Sequence, residues 1–215
     1  MLRIRVSMAI LAALMLALGC AGCVDGDASS IYIVGNATLD DECIIQEDPL
    51  LAAGQIDTAF GSDYTMHLIV ENQILRRSTP VGADPSGVHF THAEITLQDV
   101  TGADIGGVGT YSAAAGGFIP SAEDSSSPGR GWVVVSAVPA EVVASLEGMG
   151  NTTIQLAVKL FGETNGQLEV ETSEWLYVVE VCAGCLACVG VEDRETSCNP
   201  GQDGEGYRTD ACPPM

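Results

Sequence analysis

From residue 64 onward the chain alternates, with Tyr64, Met66, Leu68 and Val70 on one side and Thr65, His67, Ile69 and Glu71 on the other. A period of two marks a strand with one buried face. The pattern returns in Thr91, Ala93, Ile95 and Leu97 against His92, Glu94, Thr96 and Gln98. It is cleanest in Ile154, Leu156, Val158 and Leu160 against Thr153, Gln155, Ala157 and Lys159. Further strands are predicted over residues 31–34, 43–46, 132–138 and 168–182. About seven strands at this spacing predict an all-β fold, an antiparallel sandwich of the immunoglobulin or fibronectin type III kind whose sheets cover each other's apolar faces.

Two details refine the pattern. In Pro139-Ala140-Glu141-Val142-Val143-Ala144-Ser145-Leu146, Val142 and Val143 are spaced to meet Leu146, which predicts one or two helical turns ending at Gly148. Over residues 168–182, Leu168 and Val170 share one parity while Trp175, Tyr177, Val179 and Val181 share the other. That phase change requires a bulge near residues 172–174. The intervening Asn165-Gly166 predicts a hairpin turn between the last two strands. Residues 101–131, rich in Gly, Ala and Ser, show little periodicity and read as a long mobile connection, with at most a short strand over 117–119.

The N-terminus reads as an address. Arg3 and Arg5 precede an apolar run over residues 8–18, followed by Gly19, Ala21 and Gly22. Such a run is too short to span a bilayer, which takes about 20 residues, and it matches a secretory signal peptide. Cys20 and Cys23 both sit in lipobox-like contexts, where the first residue after cleavage is lipidated. The hydrophobic context favours Cys20. Lipidation at Cys23 would instead leave an even number of thiols. The expected organisation is a lipoprotein-type signal and lipidation region over 1–23, a linker over 24–30, the sandwich over 31–182 and a cysteine-rich tail over 183–215.

Charge and composition narrow the function. The chain of 215 residues carries a formal charge of −21, and losing the leader with Arg3 and Arg5 deepens it. Nucleic acid is excluded as a partner, since phosphate contacts need clustered cations and Lys159 is the sole lysine. The sequence contains no Gly-x-Ser-x-Gly, no His-Glu-x-x-His, no Gly-x-x-x-x-Gly-Lys and no dinucleotide fingerprint. His67, His89 and His92 all fall on predicted strands; a spacing of three sends His89 and His92 to opposite faces, which suits packing or surface roles.

Beyond the leader stand Cys43, Cys182, Cys185, Cys188, Cys198 and Cys212. Their spacing fits neither an iron-sulfur run nor a zinc site, and export favours disulfides, so no metal or cofactor is expected. Six cysteines allow fifteen connectivities. We expect Cys43 to pair with Cys182 or Cys185, tying an early strand to the last, with the others stapling the tail. Asp203, Glu205 and Asp210 are weak calcium candidates, as are Asp40, Asp41 and Glu42, but no full Asp-x-Asp-x-Asp-Gly loop is present and a solvated acidic surface is the preferred reading.

Together the lipobox-like start, Val70-Glu71-Asn72-Gln73-Ile74-Leu75, Val181-Cys182-Ala183-Gly184-Cys185-Leu186 and Cys198-Asn199-Pro200-Gly201-Gln202-Asp203 resemble a family. It is the uncharacterised cysteine-rich predicted lipoproteins of myxobacteria and their relatives. The likeness spans most of the exported chain and implies no particular activity; the ambiguous lipobox is its main departure. The expected function is a lipid-anchored, extracytoplasmic module of a bacterial envelope, at the outer membrane, that supports or binds an envelope protein or polysaccharide without catalysis. The competing expectation is a small envelope enzyme, or a calcium-dependent binding protein, with its site in residues 101–131 or in the acidic tail.

Overall fold

The computed structural model describes residues 29–77, 84–105, 107–188 and 198–205. The leader with Cys20 and Cys23, and the C-terminal Asp210 and Cys212, lie outside them. The described residues form strands β1 (Ile31–Leu39), β2 (Ile45–Leu51), β3 (Gly54–Asp57), β4 (Tyr64–Asn72), β5 (Val88–Asp99), β6 (Thr110–Ile119) and β7 (Gly129–Val138). Helix α1 (Ala140–Leu146) follows, then β8 (Thr152–Thr164), β9 (Glu169–Glu171) and β10 (Trp175–Cys182).

The all-β expectation holds, but the arrangement is not a two-sheet sandwich of seven strands. One sheet of ten strands runs in the order β2-β1-β4-β7-β6-β5-β8-β10-β3, with β9 paired to β8, and curls until it nearly closes into a barrel. All pairings are antiparallel except β10 with β3. The reason is two strands that the hydrophobic pattern hides, β3 and β6. Strand β6 lies within the stretch expected to be a loop and pairs with β5 on one side and β7 on the other, joining what would otherwise be separate sheets. At Gly117 the neighbouring backbone lies close: an added Cβ would fall 2.9 Å from the Cα of Val133.

One face of this curved sheet holds a single apolar core. It includes Met66, Leu68, Val88, Ile95, Leu97, Val133, Val135, Ile154, Leu156, Val158, Leu160 and Val179. Helix α1 buries Val142, Val143 and Leu146 against it, as the spacing predicts. Each fully buried aliphatic side chain contributes about 1.5–3 kcal/mol. The ion pairs Arg130–Glu47 and Lys159–Glu171 are partly exposed and are worth roughly 0–1 kcal/mol each. The core therefore holds the fold, and the ion pairs trim it.

The predicted bulge is present. The register of β9 on β8 (Phe161 with Glu171) differs by one residue from that of β10 on β8 (Val158 with Trp175). Thr172 spans the break: its amide donates to the Leu160 carbonyl at 3.0 Å and its hydroxyl accepts from the Leu160 amide at 3.0 Å. A second bulge, between Phe90 and His92, has no counterpart in the sequence reading. It places His89 and His92 both on the exposed face rather than on opposite ones, where His89 lies against Phe118 and His92 stacks on Phe161. Pro49 sits in β2, an edge strand, where a missing amide costs little.

Candidate functional site

Three regions of the described residues combine polar or aromatic groups in ways that the fold alone does not demand. The first is the seam where the curled sheet almost meets itself. Strand β1 pairs with β4 only from Leu68 to Asn72, which leaves the first part of that β4 edge without a strand partner. Side chains fill the gap. Asn36 accepts the His67 amide through Oδ1 at 2.9 Å. Gln202 accepts the Thr65 amide at 2.9 Å and donates to the Thr65 carbonyl at 2.8 Å, the two bonds an opposing strand residue would make. The Gln202 backbone segment meanwhile pairs with β3, since the Asp57 amide donates to the Gly201 carbonyl and the Asp203 amide to the Gln55 carbonyl, both at 2.8 Å. One tail residue thus bridges β3 to β4.

Beneath this bridge, Asp203 accepts the Gln55 amide and the Tyr64 hydroxyl through Oδ1, both at 2.9 Å. Burial pushes the Asp203 carboxyl up to about 6 and drives the Tyr64 hydroxyl well above its ordinary value, with the nearby Asp203 charge adding to the latter. Asn36 donates to the Tyr177 hydroxyl at 3.3 Å, carrying the network from β1 to β10. Gly54 must lack a side chain here, because a Cβ would overlap the Tyr64 hydroxyl. Among the described residues, every fully buried side-chain nitrogen or oxygen has a hydrogen-bond partner. The network is saturated, which is how a structural polar cluster differs from a site waiting for substrate.

The second region is the corner after β10. Asp57 is buried and accepts the Gly184 amide at 2.6 Å, the Leu186 amide at 2.8 Å and the Ala59 amide at 3.0 Å. Its carboxylate and the sulfurs of Cys182 and Cys185 lie within 4.8 Å of one another. Cys182 and Cys185 are bonded to each other, and Cys43 is bonded to Cys198. Cys188 is also disulfide-bonded. The expected link from Cys43 to Cys182 or Cys185 is therefore incorrect. Cys182 ends a strand paired with β3, whereas the later tail returns to the turn before β2 and sets the Cys198 sulfur 3.5 Å from the Asp40 carbonyl. Asp40 shapes that turn by accepting the Glu42 and Ile44 amides through Oδ1.

The third region is on the outer face of β6 and β7. Phe118, Trp132 and Val134 are 45%, 50% and 40% exposed, and they flank the paired residues Gly117 and Val133. His89 extends the strip from β5 through its ring contact with Phe118. The sequence reading missed this strip because Trp132, Val134 and Val133, Val135 are apolar on both parities, so neither face of the strand announces itself as outer.

Of the weak calcium candidates, Asp210 lies outside the described residues, and Glu205 lies near enough to Asp203 to add to the rise of its carboxyl. Asp203 is engaged by Tyr64 and Gln55, and Glu205 accepts the Asn199 amide at 2.7 Å. Asp40 belongs to the turn already described, where its side chain is taken up by the Glu42 and Ile44 amides. Residues 101–131, expected to be a long mobile connection, instead contain β6 and the start of β7. No helix among the described residues is long and apolar enough to cross a membrane. The chain matches no protein-family model and no curated protein.

Proposed function

We propose that this chain is an extracytoplasmic, lipid-anchored binding module of the bacterial envelope, and that it engages another envelope component through the outer face of β6 and β7. The observation that carries the reading is the exposed Phe118–Trp132–Val134 strip on a sheet whose opposite face is filled by core side chains. Aromatic groups held on rigid strands lose little entropy on binding and dominate contact energetics, whereas the rest of this acidic surface repels anionic partners. Three regular supports accompany it: disulfide-bonded cysteines suit an oxidising compartment, the leader carries two lipobox-like cysteines, and the buried polar groups are satisfied internally. Outer-membrane retention, and kinship with the myxobacterial cysteine-rich lipoproteins, belong to this reading as proposals.

The test has two arms. Palmitate labelling of cells expressing the wild type, Cys20→Ala and Cys23→Ala is expected to show label lost in one variant; an unlabelled wild type overturns the anchor. Photo-crosslinking from position 132 in intact envelopes, with isolated envelope polysaccharide assayed in parallel, is expected to give an adduct or retention that Phe118→Ala weakens about tenfold. Equal behaviour of a probe placed on the far side, at Leu176, would refute the face assignment.

A further inference from the structure

The Cys182–Cys185 disulfide is poorly explained as a staple. On the chain-entropy argument a bond that closes a loop with a separation of 3 restrains the unfolded chain far less than the Cys43–Cys198 bond, whose separation is 155. The short loop also has its own supports. Thr58 donates to the Cys182 carbonyl through its amide at 2.8 Å and its hydroxyl at 3.0 Å. Asp57 holds the Gly184 and Leu186 amides, and the Leu186 side chain is buried. Gly184 takes a φ of 79°, which lets the chain turn between the two cysteines. These contacts do not pass through the sulfur–sulfur bond, so they continue to hold the loop backbone when it opens.

Access to the two cysteines is unequal. Cys182 is 6% exposed at the end of β10, while Cys185 lies exposed in the loop. We infer that Cys182–Cys185 is a thiol–disulfide exchange site that takes two electrons from an envelope dithiol, with Cys185 as the attacked sulfur and Cys182 as the leaving one. A thiolate of the dithiol attacks the Cys185 sulfur, forming a mixed disulfide. The Cys182–Cys185 bond breaks and its electron pair leaves on Cys182, which takes up the proton that the attacking thiol released. The second thiolate of the partner then attacks its own sulfur in the mixed disulfide, which frees Cys185 and oxidises the partner. Asp57 is a positioning residue: by accepting the Gly184 and Leu186 amides it fixes the loop that holds Cys185 at the surface.

The experiment is a titration of the purified, oxidised protein with dithiothreitol, quenched with N-ethylmaleimide, mapped by mass spectrometry and followed by near-ultraviolet circular dichroism. Cys182 and Cys185 are expected to be labelled together at reductant concentrations about tenfold below those that label Cys43 and Cys198, with unchanged dichroism and full reoxidation. The Cys182→Ser variant is expected to capture glutathione at Cys185 as a mixed disulfide. The inference is overturned if the pair opens only together with Cys43–Cys198, or only as the dichroism collapses, or if Cys185 in the variant stays unmodified. Should that variant fail to fold, the wild-type titration decides alone.

Discussion

Replacing Gln202 by Met keeps most of the side-chain volume while removing both hydrogen bonds to Thr65. Gln202 is 3% exposed, so its own amide is shielded from water. The loss leaves the Thr65 amide and carbonyl without the partners they hold at 2.9 and 2.8 Å. A buried backbone group left unpaired costs about 1–3 kcal/mol, and Thr65 is half-buried, so water recovers part of that for each group. The expected destabilisation is about 2–4 kcal/mol. With a urea m-value of about 2–3 kcal/mol/M, the unfolding midpoint falls by roughly 1 M at constant m. Native-state hydrogen exchange offers a local readout, since the Thr65 amide should lose protection far more than amides in the β5–β8 ladder. If the midpoint moves by less than about 0.2 M, or if Thr65 stays as protected as before, Gln202 does not close the seam and the account of the barrel edge is wrong.

Other substitutions probe the same frame. The Asp203 carboxyl is pushed up to about 6 by burial, so the folded state binds a proton more tightly than the unfolded one. The stability this confers is complete below about pH 4 and is lost as pH rises through about 6. Asp203→Asn should flatten that slope and add about 1–2 kcal/mol above pH 7, discounted for partial exposure, as read from urea curves at several pH values. Gly117→Ala should cost about 1–3 kcal/mol and disrupt the β6–β7 pairing, visible as lost amide protection at Val133, because the added carbon meets the neighbouring backbone. The Cys43→Ser, Cys198→Ser double variant should lose roughly 5 kcal/mol; a loss below about 1 kcal/mol would show that the tail docks without its staple.

Much of the β-structure was legible because its signal is local. Alternation at Tyr64, Met66, Leu68 and Val70 reports a face that must be buried, whatever strand lies alongside. The phase change between Val170 and Trp175 likewise reports a bulge without reference to the partner strand. The second bulge, at Phe90 to His92, gave no such sign, because Thr91 is polar enough to sit on either face and the histidines fit both. Strand β3 escaped notice for a different reason. It has only four residues, and its partner β10 lies more than a hundred positions away.

The candidate sites divide in the same way. Cysteines suited to disulfides, an acidic exterior and a pleated core follow from residue types and their spacing, since each depends on chemistry that a residue carries wherever it is placed. Which cysteines meet, which amide completes the unpaired edge of β4, and whether Trp132 faces solvent or core depend on distances between segments far apart in the chain. Only the folded arrangement brings Cys43 to Cys198, Gln202 to Thr65 and Asp57 to Cys185, because the closure of a sheet upon itself is settled by the packing of all its strands together.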